Sequence, residues 1–426
     1  MNWKIFTIII IGLAIIAVGV FLFKQGDLSI PWLNPTTPRA KINPEDVSNV
    51  TEANNEFALD FYYHLKDKEE GNIFFSPYSI SSALAMTYEG AKGQTAEEMR
   101  SVFYFPEDDN IRRTEYAGMF DEINKEGKEY KLHTANALWA EKDYQFLNEY
   151  FNIVEENYAG KVTNLDFKKN AEKARLIINN WVEEKTNNKI KDLIPSGEVN
   201  ALTRLVLTNA VYFKSDWVRQ FNENDTKEQD FRISKDNIVR VPTMERIDKE
   251  AMFNYAENND LQILEMPYSG EELSMLVLLP KDEDLEALEN SLSSENLSKW
   301  KKDLKEERVK IFIPKFKFET KYFMAKDLEE MGMSTAFSGS ADFSGMTGKR
   351  DLFISQVIHQ AFVEVNEEGT EAAAAAAVIM ELTSAGGPSK EPKILVFRAD
   401  HPFMFLIQHN ATGNILFMGR VVNPTL

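Results

Sequence analysis

Glu367-Glu368-Gly369-Thr370-Glu371-Ala372-Ala373-Ala374-Ala375-Ala376-Ala377-Val378-Ile379-Met380-Glu381-Leu382-Thr383 is the stretch on which the reading of this chain turns. Six consecutive alanines suggest a helix, because alanine is the best helix former. A short isolated helix is marginal in water, however, and Gly369 stands just before this one. Sorting by parity is more informative. The even positions, from Thr370 through Ala372, Ala374, Ala376, Val378 and Met380 to Leu382, carry no charge, whereas Glu371 and Glu381 both fall on odd positions. Read as a strand, one face is uncharged and the other holds both acids. A strand this small on both faces can slip between existing strands with little steric cost. Thr383-Ser384-Ala385-Gly386-Gly387-Pro388 follows, a loop composition open to proteases.

Around this stretch the chain reads as an ordinary globular protein at the C-terminal side and something different at its start. At roughly 150 residues per domain, 426 residues suggest two or three domains. Yet from residue 45 onward there is no second linker and no internal repeat. Phe57, Ala58, Phe61, Tyr62 and Leu65 recur at helical spacing, as do Ala174, Ile177, Ile178 and Trp181. Strand patterns occupy 205–213, 274–279, 309–313, 403–407 and 415–418. Helices concentrate early and strands continue to the end, so a single α+β domain is expected. The 67 acidic against 48 basic residues argue against nucleic-acid or anionic-lipid partners. Zero cysteines exclude disulfides, thiolate metal sites and a cysteine nucleophile.

Residues 5–23 form a run without a charge between Lys4 and Lys24, long enough to cross about 30 Å of hydrocarbon. It ends in Val20-Phe21-Leu22-Phe23, without the small residues of a signal-peptidase site. The expectation is an uncleaved signal-anchor with residues 1–4 cytoplasmic and the body outside, or else a removed signal peptide and secretion. Pro31, Pro35, Pro38 and Pro44 make 24–44 a tether. Residues 1–44 hold four basic residues against Asp27, a net +3, which leaves −22 on the remainder.

Catalytic motifs are absent from the sequence. There is no G-x-S-x-G elbow and no H-E-x-x-H, and His64, His133, His359, His401 and His409 show no metal-ligand spacing. Gly345-Met346-Thr347-Gly348-Lys349 has too few residues between its glycines for a phosphate loop and reads as a turn. His359, in an apolar stretch, reads as a hydrogen-bonded interior histidine. No enzyme activity, cofactor or metal is expected.

The residues 367–375 closely resemble the hinge of inhibitory serpins, the serine protease inhibitors that act by loop insertion. The resemblance extends from about Val47 to Leu426. Residues 72–86, beginning Asn72-Ile73-Phe74-Phe75-Ser76-Pro77, are similar to the family's segment leading into a central helix. Residues 207–217 match its strand ending at a tryptophan, and 341–346, His401-Pro402-Phe403 and 413–421 complete the set.

The resemblance implies a single domain of three β-sheets and about nine helices, with an exposed reactive-centre loop at about 367–396. It implies a monomeric suicide-substrate inhibitor, its hinge formed by Glu367, Glu368, Gly369, Thr370, Glu371, Ala372, Ala373, Ala374 and Ala375. Ser76, Ser79, Asn209 and His359 resemble the family's shutter, a hydrogen-bonded cluster beneath strands that must part, and Trp217 its breach. Counting fourteen residues past the hinge glycine gives Thr383-Ser384 as the scissile bond. The loop looks longer than in many members, so Leu382-Thr383 and Met380-Glu381 remain alternatives. Thr383 suits elastase-, chymotrypsin- or subtilisin-like proteases better than trypsin-like ones. A non-inhibitory serpin with a binding or chaperone role is the alternative reading.

Overall fold

The computed structural model describes residues 42–125, 127–370 and 394–426, without the side chains of His133 and Thr134. The described residues belong to one compact unit. They contain ten α-helices: α1 (Val50–Lys66), α2 (Pro77–Tyr88), α3 (Gly93–Phe103), α4 (Asp109–Asn124), α5 (Asn148–Tyr158), α6 (Phe167–Lys185), α7 (Leu285–Ser291), α8 (Ser294–Asp303), α9 (Ala325–Met331) and α10 (Ser344–Thr347). The one-turn α10 occupies the glycine-rich stretch read as a turn, and Gly348 ends it in the left-handed region.

The strands β1 (Ile73–Phe75), β2 (Tyr130–Glu141), β3 (Lys161–Leu165), β4 (Leu205–Asp216), β5 (Lys227–Ser234), β6 (Asn237–Arg246), β7 (Met252–Glu257) and β8 (Leu261–Pro267) make up the first half of the sheets. They continue with β9 (Leu273–Pro280), β10 (Lys305–Pro314), β11 (Phe316–Phe323), β12 (Gln356–Val365), β13 (Gly369–Thr370), β14 (Leu395–Arg398), β15 (Phe403–His409) and β16 (Ile415–Val421). A six-stranded sheet runs β11-β12-β13-β4-β2-β3. The other ladder is ten-stranded because β10 belongs to two sheets. Its Lys305–Arg308 half pairs with β7, and its remainder pairs with β6 and β14. The three expected sheets are therefore present, two of them continuous through β10. The fold is α+β.

Burial alternation follows from the two faces of the six-stranded sheet. Val211, Phe213, Ala361 and Val363 face Phe405, Phe417 and Val277 of the larger sheet, forming an apolar layer between the two. The opposite face is covered by α6 and the connection after it, where Ile178, Val182, Ile190 and Ile194 pack on Trp139, Val206 and Ile358. Ala174, Ile178 and Val182, four apart, make the buried stripe of α6. Ile177, expected on that stripe, is exposed instead. α2 is buried almost throughout and starts from an N-cap at Ser76 with Pro77 in its first turn.

Residues 5–23 and most of the expected tether lie outside the described residues. Among the described residues no helix is long and apolar enough to cross a membrane. The expected localisation, a single-pass membrane protein with its body outside, is corrected accordingly. That expectation rested on the charge-free run 5–23, its length and its lack of a cleavage site, and the described residues hold no helix of that kind.

Candidate functional site: the seam between β4 and β12

Strands β4 and β12 run parallel and pair directly from Val206↔Gln356 to Tyr212↔Phe362. Beyond that point they part, and β13 lies between them. Thr370 pairs antiparallel with Ser215 on one side and Val365 on the other, and Gly369 pairs with Asp216. The chain reverses from β12 into β13 through Asn366, whose side-chain oxygen accepts from the backbone N–H of Glu368 and of Gly369 at 3.1 and 3.2 Å. The Asn366 backbone N–H also donates to the Gly369 carbonyl at 3.0 Å, so side chain and backbone together hold the sharp reversal. At Gly369 the backbones are so close that a Cβ would lie 2.0 Å from the Ser215 carbonyl oxygen. Only glycine fits there.

Trp217 frames this end of the seam. Its backbone N–H donates to the Glu368 carbonyl at 2.7 Å, and its indole N–H donates to the Asn366 carbonyl at 3.0 Å. Its ring stacks on Tyr268 with centroids 4.5 Å apart. Glu367 is buried and accepts from Lys315 Nζ and Thr226 Oγ1, each at 2.6 Å. Burial alone would raise its pKa, but the ammonium and hydroxyl outweigh that and hold the carboxyl below its usual range.

Lower in the seam, His359 and Asn209 are register partners across β12 and β4. His359 Nδ1 bonds the Asn209 side-chain oxygen, and Nε2 accepts from the Ser76 backbone N–H at 3.1 Å. The tautomer is thereby set, with the proton on Nδ1. Burial without a nearby carboxylate pushes the imidazole pKa down to about 3, so the ring is neutral. Asn209 Nδ2 reaches Ser79 Oγ and Asn136 Oδ1, each at 2.6 Å, and Ser76 Oγ donates to the Leu416 carbonyl at 2.7 Å. Ser76, Ser79, Asn209 and His359 thus form one network beneath the seam.

Trp217 stands with Glu367, Glu368, Gly369 and Thr370 at the other end of that seam. Glu371, Ala372, Ala373, Ala374, Ala375 and the bond between Thr383 and Ser384 lie outside the described residues. Five participants escaped the sequence reading: Asn136, Thr226, Tyr268, Lys315 and Asn366. A polar residue inside the apolar β2 pattern was the only available signal for Asn136. Two further clusters, His64–Asp327–Glu330 and Glu122–Glu272–His409, have ligand-like geometry. Each already holds a lysine, Lys68 or Lys128, paired with its carboxylates.

Residues 52–424 match the family described as Serpin (serine protease inhibitor). The chain belongs to the serpin family. Leukocyte elastase inhibitor A of Rattus norvegicus is 42% identical over 387 residues, covering 89% of this chain and 100% of the relative. A serpin-like protein of Thermococcus kodakarensis is 44% identical over 391 residues, covering 92% of this chain and 89% of its own. Among solved serpin structures, uncleaved ovalbumin superposes with a TM-score of 0.79 at 34% identity, covering 88% of this chain and all of that one. The serpin from rat is matched along its whole length by nine-tenths of this chain, so it is complete without a counterpart of an added segment.

Proposed function

We propose that this serpin inhibits serine proteases as a suicide substrate, inserting its cleaved loop between β4 and β12. The observation that carries the reading is the position of β13 in that seam, with Thr370 already paired on both sides and Gly369 paired to β4. Continuing the two ladders of β13 residue by residue brings Ala376 opposite Asn209 on β4 and opposite His359 on β12. Those two residues already face each other, so one inserted strand satisfies both registers at once. Glu367, Glu368, Gly369 and Thr370 act as the inner hinge, with Glu371 and the alanines following. Ser76, Ser79, Asn209 and His359 act as the latch, and Trp217 frames the point where the loop begins to enter.

In this reading the protease serine attacks the Thr383 carbonyl. An ester to the protease forms, and the Thr383–Ser384 amide breaks with the proton going to the new amine of Ser384. Before water can cleave the ester, residues 371 onward fill the seam and draw the protease along. About a dozen new ladder hydrogen bonds at ~0.5–1.5 kcal/mol each stabilise the inserted form by an order of 10 kcal/mol. That matches a whole domain's stability, so the uncleaved form persists kinetically. The relative named leukocyte elastase inhibitor supports an elastase-type target.

Incubating the full chain with elastase-, chymotrypsin- and subtilisin-type proteases, followed by denaturing gels, tests the proposal. A covalent complex stable in SDS is expected with at least one of them. Clean cleavage with full protease activity would favour a binding or chaperone role instead.

A further inference from the structure

We propose that Glu122, Glu272 and His409 bind a divalent transition-metal ion of the zinc type, which enters by displacing the Lys128 ammonium. A carboxylate oxygen from each glutamate and a ring nitrogen of the histidine lie within 4.8 Å of one another. The three come from distant parts of the chain, so no motif spacing announces them. Glu122 is in the last turn of α4, Glu272 directly precedes β9, and His409 ends β15. The β9–β15 ladder sets the last two side by side: His409 pairs with Leu273, and the Asn410 N–H donates to the Glu272 carbonyl at 2.8 Å.

Two buried polar groups without partners separate this cluster from a merely solvated acidic patch. His409 is 5% exposed, and its Nδ1 lies 3.0 Å from Thr412 Oγ1. A hydrogen bond of that kind on the far nitrogen orients a ligating imidazole. Its Nε2 makes no hydrogen bond and no ion pair among the described residues. Burial holds the imidazole pKa below its usual value despite the two carboxylates, so the ring is neutral at pH 7 and keeps a lone pair. Tyr130 is also 5% exposed, and its hydroxyl has no hydrogen-bond partner among the described residues. The charges of Lys128, Glu272 and Glu122 all act on that hydroxyl. A water held by the metal would give it the partner it lacks. The cluster of His64, Asp327 and Glu330 offers no such opening, because His64 Nε2 already meets Asp327 Oδ1 at 2.9 Å.

Lys128 now occupies the place of the ion. Its Nζ lies 3.0 Å from Glu122 Oε1 and also meets Glu272 Oε2. One ammonium facing two carboxylates leaves a negative charge, whereas a divalent ion balances both. Mixed imidazole and carboxylate ligands favour zinc over calcium or magnesium, which take oxygen ligands. Zinc bonds of about 2.0–2.2 Å require the ligands to close in. The Glu122 side chain, 51% exposed, is free to make that movement.

The test is calorimetric titration of the untagged, chelator-stripped full chain with zinc chloride at neutral pH, with calcium chloride for comparison. Saturable binding of one zinc ion is expected, with calcium at least a hundredfold weaker. Glu272→Gln and His409→Gln should each weaken zinc binding at least tenfold. Lys128→Gln should tighten it at least threefold, because the competing ammonium is gone. His64→Gln should bind as the parent does. Zinc should raise the melting temperature of the parent and leave that of Glu272→Gln unchanged.

No saturable binding, or binding indifferent to Glu272→Gln, overturns the site. Loss of binding in His64→Gln assigns the ion to the other cluster and overturns it equally. Weaker binding in Lys128→Gln overturns the displacement. Should His409→Gln not fold, cobalt(II) bound to the parent decides the histidine. A nitrogen ligand is expected in its X-ray absorption spectrum, and an all-oxygen shell overturns the assignment.

Discussion

The hydroxyls of Tyr268 and Thr370 meet at 2.7 Å, both buried, beneath the point where β13 separates β4 from β12. Tyr268 is itself held by its stack on Trp217 and by an edge-on contact with Phe213 at 5.1 Å. Thr370, the first residue of the proposed insertion, is therefore held by a polar contact in an apolar layer. Tyr268→Phe leaves the Thr370 hydroxyl buried without that partner, at a cost of about 1–3 kcal/mol to the docked hinge. Hydrogen exchange in the peptide covering 366–370 should accelerate, whereas that of β15 should not change. Equal exchange in both proteins would show that the contact does not hold the hinge.

Thr370 faces the apolar layer, so even-numbered residues that follow it would face the same way once inserted. Thr370→Arg and Ala374→Lys should each abolish the SDS-stable complex and leave a cleaved substrate, because burying an unpaired charge is prohibitive. Ala373→Lys, on the other face and next to half-buried Phe362, should reduce the complex less. Equal loss at 373 and 374 would contradict the register.

The Glu367–Lys315 pair ties the hinge to the turn between β10 and β11. Glu367→Lys should lower stability by about 3 kcal/mol, since it opposes two cations at a buried position. Restoring opposite signs with Lys315→Glu should recover a large part of that in urea denaturation. Because Glu367 has a lowered folded pKa, its contribution is complete above the ordinary carboxylate pKa and fades as pH falls through the lowered value.

His359 titrates with the opposite chemistry and the same sign. Its folded pKa of about 3 lies below the unfolded value of 6.5, so between those limits the unfolded chain binds the extra proton. Stability from the neutral ring is whole above pH 6.5 and falls by roughly 1 kcal/mol per pH unit below it. His359→Gln should give a lower melting temperature at pH 7.5 and a shallower decline towards pH 4.5 than the parent. Parallel declines would remove the histidine from the account.

The β4, β9, β10, β15 and β16 patterns were legible as strands because each holds a dense apolar run, broken only by Thr208 and Asn209 in β4 and by Lys310 in β10, and buried over most of that run. The strand reading meets β13 at Gly369 and Thr370, whereas Glu371 and Glu381, whose parity prompted it, lie outside the described residues. Ile177 was misplaced because its exposure depends on which side of α6 the Trp139 ring occupies, and spacing within the helix does not contain that. Asn136, Tyr268 and Lys315 were not legible for a related reason. Tyr268 meets Thr370 across 102 residues of sequence, and Asn136 meets Asn209 across 73. Such partners are set by strand order in the sheet, which no local pattern records.

Nucleating a strand between two others is ordinarily the slow step, since the first residues lose chain entropy before any ladder forms to offset it. Here Gly369 and Thr370 have already crossed that threshold. In the proposed insertion, the step left for the remainder is propagation past the His359–Asn209 contact. On that proposal, the working lifetime of the intact protein at elevated temperature would be a property of one buried imidazole and one amide, and storage half-life would be a direct assay of that contact.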